Sequence, residues 1–227
     1  MVIIHGENTA LSRKKLQELI DKYKQRGLSL NRLEAKKLTP AILQENLGSS
    51  SLFGDDKLTI IEELHSLPTS KKKKELIEII SQASQSDSQI ILYEKRKLTT
   101  TMVKKLGQSE VFEFKISNSL WELLDKLGSK DKKGTLLTLR KAIEQNDEFF
   151  VYTMIIRQIR MLISAKDGGV LKGAPFMITK LKKQAGYFSL EKLLQTHYHL
   201  HKIDIKQKNS QLYLNLSQEL DLLLFKI

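Results

Sequence analysis

The sequence predicts an α/β domain over residues 1–116 followed by an all-α domain over residues 117–227. Short apolar runs such as Val2-Ile3-Ile4 and Gln89-Ile90-Ile91-Leu92-Tyr93 alternate with helical patterns in the first half. After about residue 115 no convincing strand pattern follows, and glycines separate segments with helical periodicity. Short buried strands that alternate with helices indicate a parallel sheet covered on both faces.

The first domain contains five predicted strands, at 2–4, 28–33, 58–61, 89–93 and 110–114. The first helix follows Gly6 and shows apolar residues at helical spacing up to a stop at Gly27. Thr39-Pro40 is a cap followed by a first-turn proline, and it opens a short helix that ends at Gly48. Two further helices are predicted, at 70–85 and 99–106.

A strand, a glycine turn and a helix also form the beginning of a phosphate-binding loop. Such a loop requires G-x-x-x-x-G-K-[ST], because successive amides and one lysine surround the phosphates. Here the segment Gly6-Glu7-Asn8-Thr9-Ala10-Leu11-Ser12-Arg13 has leucine in place of the second glycine and no Lys-Ser/Thr pair. The sequence therefore predicts a nucleotide-binding fold without the nucleotide site.

The second domain is predicted to be a helical bundle. Ser119-Leu120-Trp121-Glu122 matches a capping box at its first helix. The run from Phe149 to Ile163 is mostly apolar, with Arg157 and Arg160 on a narrow polar side, so this helix needs neighbours nearly all round it. Helices are expected at 119–127, 131–145, 148–167, 175–185, 189–207 and 210–225.

Composition limits the functional classes. The 227 residues contain no cysteine, which excludes disulfides, thiol nucleophiles and thiolate metal sites. No apolar run is long enough to span a membrane and no signal sequence is evident, so a cytoplasmic protein without membrane contact is expected. The net charge of +12 points to polyanions nearby, although lysine clusters such as Lys71-Lys72-Lys73-Lys74 are more often solvated faces.

Catalytic and metal-binding signals are scarce. His197 and His201 are spaced for one face of a helix and, with Asp204, could hold zinc, but ordinary exposed histidines are the simpler interpretation. Asp55-Asp56 and Glu62-Glu63 could hold magnesium, yet there is no phosphate loop to bring a nucleotide. We therefore expect no catalytic residue, metal or cofactor in this chain.

Leu52 and Phe53 are two bulky apolar residues in the polar segment Ser51-Leu52-Phe53-Gly54-Asp55-Asp56, just before a predicted strand. One interpretation is that both side chains pack into the local core, as most apolar residues in loops do. The other is that they form an apolar plug for the pocket of a partner protein. The local sequence does not decide between the two.

The order of these features resembles the delta subunit family of the bacterial DNA polymerase III clamp loader. The resemblance is carried by the incomplete phosphate loop, the Ser51-Leu52-Phe53 segment, the strand end Ile91-Leu92-Tyr93-Glu94-Lys95-Arg96-Lys97-Leu98, the run Met154–Leu162, and Ile203-Asp204-Ile205-Lys206 before the last helix. It implies an AAA+-like first domain without a functional P-loop and a C-terminal collar domain for oligomerisation. Family members also carry a small lid domain, and the passage from Phe114 to Trp121 leaves no room for one here.

The resemblance implies that Leu52 and Phe53 bind the sliding clamp and that the chain opens it for loading onto primed DNA during replication. It further implies gamma/tau and delta-prime subunits as partners, with ATP bound and hydrolysed only on partner subunits. The chain alone would then have no catalytic activity, although it would belong to a DNA polymerase holoenzyme. Two alternatives remain open, a degenerate P-loop nucleotide-binding enzyme and a basic DNA-binding module.

Overall fold

The computed structural model describes residues 1–48, 57–86, 88–211 and 213–227. The chain divides into two compact units, residues 1–115 and residues 116–227. The five described strands lie in unit 1, and the regular elements described in unit 2 are all helices. The predicted combination of a parallel α/β sheet and an all-α bundle is therefore confirmed, whereas the roles given to the two parts stay predictions.

The strands of unit 1 are β1 Val2–His5, β2 Ser29–Glu34, β3 Lys57–Glu62, β4 Gln89–Glu94 and β5 Glu110–Glu113. They form an entirely parallel sheet with the order β2-β3-β4-β1-β5. β1 is therefore an interior strand, paired with β4 on one side and β5 on the other. All carboxyl ends lie at one edge of the sheet, where ligands bind in open α/β folds.

In the described part of unit 1, four α-helices connect these strands, and a side-chain cap fixes the beginning of each. Asn8, Thr39, Ser70 and Thr99 each accept a backbone N–H from three residues further along, which satisfies a donor that the helix leaves free. The helices are α1 Thr9–Gln25, α2 Pro40–Gly48, α3 Lys71–Ala83 and α4 Thr100–Lys104.

Each face of the sheet has its own apolar core, because successive side chains of a strand point to opposite faces. In β1, Ile3 packs with Leu76 and Ile80 of α3, whereas Ile4 packs with Leu16 and Ile20 of α1. All six side chains are almost completely buried. This arrangement holds the carboxyl edge of the sheet between rigid layers.

Unit 2 is organised around the helix Glu148–Lys166, α7, whose apolar side chains supply much of its core. Val151, Ile155, Ile159 and Leu162 have no solvent exposure, as expected for a helix with neighbours nearly all round it. The helices of unit 2 are α5 Asn118–Lys126, α6 Lys132–Gln145, α7 Glu148–Lys166, α8 Pro175–Ala185, α9 Leu190–Lys208 and α10 Leu216–Lys226.

Two sequence-based expectations about helix ends are wrong. The N-cap of α5 is Ser117, which accepts the N–H of Leu120, while Ser119 donates its hydroxyl to Gln145 Oε1 at 2.8 Å. The last helix begins at Leu216 rather than near 210, because Ser210 has a φ of 54° and ends the preceding helical path. A capping box forms at Asn215 instead, a motif that the sequence analysis missed.

No helix among the described residues is long and apolar enough to cross a membrane.

Candidate functional site

Leu52 and Phe53 lie in the segment 49–56, outside the described residues, so their predicted role in clamp binding stays a prediction. The described residues on either side of this segment are joined to each other. Lys57 Nζ, at the start of β3, donates to the carbonyl oxygen of Asn46 in α2 at 3.2 Å. The Asn46 side chain in turn accepts from Asn31 of β2 at 2.8 Å. Hydrogen bonds therefore link the described residues that flank the segment.

The turn after β1 is where a phosphate loop would present its backbone amides. Here the Gly6 N–H donates to the carbonyl oxygens of Glu94 and Arg96, each at 3.2 Å. The Asn8 N–H donates to the carbonyl oxygen of Phe114 at 3.1 Å. Amides that would bind phosphate oxygens in a working loop therefore bind carbonyl groups of unit 1 itself.

Gly6 also approaches the backbone at the end of β5 very closely. Its φ is 133°, and a Cβ at this position would lie 2.1 Å from the carbonyl oxygen of Phe114. Only glycine fits such a contact, so Gly6 closes the turn against β5. In this chain the glycine serves backbone packing, whereas in a phosphate loop it would make room for a ligand.

The second half of the incomplete motif lies in α1, which begins at Thr9. Ser12 occupies the position where a phosphate loop has its lysine, and it is fully buried, with its hydroxyl oxygen 3.1 Å from the Tyr93 hydroxyl oxygen. The guanidinium carbon of Arg13 lies 5.6 Å from the centroid of the Tyr93 ring. Both residues are thus engaged by β4, which supports the expectation of a fold without a nucleotide site.

A buried glutamate links the ends of β3 and β4 at the same edge. Glu94 has no solvent exposure, and its Oε1 accepts the N–H of His65 at 2.7 Å and lies 3.2 Å from His65 Nδ1. Among the described residues, its Oε2 is buried without a hydrogen-bond partner. Glu63, in the left-handed region, accepts the N–H of Lys95 at 3.1 Å, which reinforces the same junction.

Two basic side chains also lie at this edge of the sheet. His5 is buried and Lys73 is partly buried. His5 Nδ1 accepts the N–H of Leu98 at 3.2 Å, so the ring is held with that nitrogen unprotonated. Burial lowers the pKa of His5 below its ordinary value, in opposition to Glu113. Burial also lowers the pKa of Lys73, with Arg96 adding to the shift, although Lys73 Nζ donates to the carbonyl oxygens of His65 and Leu67.

The candidate metal ligands are not brought together in the described part of the chain. No group of three or more histidine, aspartate or glutamate side chains there could hold a metal ion. Glu62 lies 3.4 Å from Arg32, and Asp204 pairs with Lys208 at 2.7 Å. Among the described residues, His197, His201 and Asp204 therefore form no such group, while Asp55 and Asp56 lie outside the described residues.

The helical hairpin of α7 and α8 forms a strongly basic surface in unit 2. Between Phe149 and Leu190 the only acidic residue is Asp167. Seven basic residues lie in the same range, and all of them are exposed: Arg157, Arg160, Lys166, Lys172, Lys180, Lys182 and Lys183. The sequence analysis noted the overall charge but missed this segment. A scan of the sequence for stretches with few acidic residues would have identified it.

Aromatic side chains accompany these cations on and beside α8. Phe176 is 72% exposed, Lys180 and Lys183 follow it at helical spacing, and Tyr187 is 60% exposed just after the helix. Proteins that bind single-stranded nucleic acid combine aromatic side chains, which stack on the bases, with basic side chains, which neutralise the phosphates. Lys180 forms an ion pair with Asp125 of α5 at 2.6 Å. Among the described residues, Lys182 and Lys183 are therefore the lysines of α8 that have no ion pair.

A buried glutamine fixes α8 in place. Gln184 Nε2 donates to the carbonyl oxygens of Leu124 and Leu127 at the end of α5, at 2.7 and 3.2 Å. Its Oε1 accepts from Gln158 Nε2 of α7 at 2.7 Å. The basic and aromatic side chains are therefore presented from a helix that is anchored to two neighbours.

Comparison with family models and with curated proteins gives no match. Among solved structures, this chain is similar to the Bacillus subtilis DNA clamp loader delta protein (YqeN), with 16% sequence identity and a TM-score of 0.47. The similarity covers 99% of this chain and 94% of that chain.

Proposed function

We propose that this chain is a clamp-loader subunit of the delta type, which binds and opens a sliding clamp without using a nucleotide of its own. The observation that carries the proposal is the closed turn after β1, on a parallel sheet that is followed by a helical unit. The turn satisfies its amides with the carbonyl oxygens of Glu94, Arg96 and Phe114. The strands and helices are arranged as in an ATPase, but the amides at the phosphate-loop position bind carbonyl groups of the same chain. This combination fits a subunit that acts by binding its partner and does not hydrolyse ATP itself.

In this mechanism Leu52 and Phe53 enter an apolar pocket of the clamp. Burying each side chain would contribute roughly 1.5–3 kcal/mol to binding. The subunit would hold the clamp open because it binds the opened shape more tightly than the closed one, since binding shifts an equilibrium only through differential affinity. ATP hydrolysis would belong to the gamma/tau-type partners, and unit 2 would join these subunits and the delta-prime subunit in a collar.

The basic surface of α7 and α8 supports contact with primed DNA within this assembly. Exposed cations such as Arg157, Lys182 and Lys183 would neutralise phosphates, and Phe176 would stack on an unpaired base. The same surface favours the second candidate function, a basic DNA-binding module that acts without a clamp. The other alternative, a nucleotide-binding enzyme, has no such support, because its loop amides are already bonded within unit 1.

The test is a binding measurement between the purified full chain and the sliding clamp of the same organism. The proposal predicts a complex that forms without ATP and that disappears when Leu52 and Phe53 are both replaced by alanine. A chain that binds DNA tightly but shows no affinity for the clamp would instead support the DNA-binding module.

A further inference from the structure

Helix α9 carries apolar side chains on two opposite faces. The inward face, with Leu193, Leu200 and Ile203, is buried in the core of unit 2. The outward face consists of the apolar Leu194, Tyr198 and Ile205 together with the polar His201, spaced at i, i+4, i+7 and i+11 and all exposed. We call these four residues the outer α9 stripe. This spacing places them on one side of the helix, in the way that apolar residues on a packing face are placed.

The exposure of the outer α9 stripe is considerable. Leu194, Tyr198 and Ile205 are 51%, 55% and 44% exposed. Single exposed apolar residues are ordinary, but a regular set along one helix face marks an interaction surface.

The rim of the stripe is positively charged. Lys202 Nζ lies 4.6 Å from the centroid of the Tyr198 ring, and Lys206 follows one turn later on the same side. Within the part of the chain that the structure describes, neither lysine belongs to an ion pair. The nearby acids are engaged on α9 itself, Asp204 with Lys208 at 2.7 Å and Glu191 with Gln195 at 3.2 Å.

We propose that the outer α9 stripe binds an amphipathic helix of a partner protein, whose apolar face is flanked by aspartate or glutamate side chains opposite Lys202 and Lys206. This inference rests on the proposed role of unit 2 in assembly and names the surface and the chemistry of its partner. A second copy of this chain fits less well. It would bring two lysines of each copy to an interface with few free acids, between chains that each carry a net charge of +12.

The first experiment measures binding of the full chain to the gamma/tau-type subunits of the same organism. Replacing Tyr198 and Ile205 by aspartate, on a face that points away from the core, should weaken assembly by at least about tenfold without lowering the melting temperature. The matched control is Leu137→Asp with Val170→Asp, at two exposed apolar residues of unit 2 away from α9, which should leave assembly unchanged. Lys202→Glu with Lys206→Glu should weaken assembly most at low salt.

The second experiment does not depend on the clamp loader. A synthetic helical peptide with leucines at the spacing of the stripe and glutamates on both flanks is titrated against the full chain, beside the same peptide with lysine flanks. We expect the glutamate peptide to bind at least about tenfold more tightly and to lose this advantage with Lys202→Glu and Lys206→Glu. Equal affinities, or no binding of either peptide, would overturn the inference.

The outcomes separate the two proposals. If the parent chain assembles and the Tyr198→Asp and Ile205→Asp variant assembles equally well, the outer α9 stripe is not the interface and the proposed function stands. If the parent fails to bind the gamma/tau-type subunits, the proposed function fails and the peptide titration alone decides on the stripe. A dimer of the parent in sedimentation experiments that disappears in this variant would show that the occupant is a second copy, against the proposal.

Discussion

The Ser12 hydroxyl oxygen lies 3.1 Å from the Tyr93 hydroxyl oxygen, in a buried contact between α1 and β4. Ser12 stands where a phosphate loop has the lysine that reaches the β- and γ-phosphates. The contact turns this position inward to the sheet, and the amides of Gly6 and Asn8 are bonded to carbonyl groups nearby. Packing as well as missing motif residues therefore distinguishes this turn from a working phosphate loop.

The full chain should neither bind nor hydrolyse ATP. The physical reason is that phosphate oxygens would have to displace the hydrogen bonds that Gly6 and Asn8 make within unit 1. Isothermal titration calorimetry with ATP and magnesium checks this directly. Micromolar, magnesium-dependent binding would contradict it and would favour the nucleotide-binding alternative.

Gly6→Ala should destabilise unit 1 much more than Gly27→Ala. Both glycines have a positive φ, which costs a substituted residue about 1–3 kcal/mol. At Gly27 a Cβ would meet nothing within 4 Å, whereas at Gly6 it would lie 2.1 Å from the carbonyl oxygen of Phe114. Urea denaturation of both variants isolates the steric contribution. Equal losses in the free energy of unfolding would mean that the turn opens readily.

His5 should make the stability of the protein fall in mild acid. Burial lowers its pKa in the folded state below 6.5, so below pH 6.5 the unfolded state takes up a proton more readily than the folded state. This contribution to the free energy of unfolding is complete above pH 6.5 and is lost as the pH falls through the folded pKa. His5→Asn cannot titrate and can still accept the Leu98 N–H, so its unfolding free energy should change less between pH 7 and pH 5.

Comparing denaturation curves of parent and variant at the two pH values removes the contribution of all other groups. Parallel losses in both proteins would show that His5 does not contribute to the pH dependence.

Replacing Leu52 and Phe53 together by alanine should abolish binding to the sliding clamp and leave the fold intact. A residue that enters a partner's pocket is packed only in the complex, whereas Phe→Ala in a core costs roughly 3–5 kcal/mol of stability. Thermal melting and a clamp-binding assay distinguish the two interpretations. Val111→Ala, at an exposed apolar residue in the described part of unit 1, serves as the control that should keep binding.

A variant that melts many degrees lower than the parent would place the two side chains in the core. A variant that melts normally and still binds the clamp would show that the binding element lies elsewhere in the chain.

Lys182→Ala with Lys183→Ala should weaken binding to single-stranded DNA and reduce its salt dependence. Removing one cation that neutralises a phosphate lowers the slope of log affinity against log salt by about 0.7. Phe176→Ala should weaken binding by about 1–3 kcal/mol because a base can no longer stack on the ring, with little change in that slope. The control is Lys71→Ala with Lys72→Ala, two adjacent exposed or partly exposed lysines on α3. If this control has the same effect, DNA binding is a general effect of charge.

Most element positions could be predicted from the sequence, because the strands are short continuous apolar runs and the helices begin at capping residues. The five strands and the first nine helices lie within a few residues of their predicted ranges. The exceptions were decided by single backbone conformations, namely the positive φ of Ser210, which delays α10, and the Ser117 cap, which replaces the expected Ser119 cap. Local patterns do not encode such choices when several hydroxyl and amide side chains compete for the same role.

The sequence by itself determined the two structural classes, the absence of cysteine chemistry, the basic charge and the incomplete phosphate motif. Only the tertiary structure decided that the turn at Gly6 is closed by Phe114, far along the chain, and that Glu94 binds His65 within the same edge. It likewise decided that α9 has a second apolar face directed away from its core. Periodicity and capping act between neighbours in the chain, whereas these contacts depend on which strands the folded sheet places side by side.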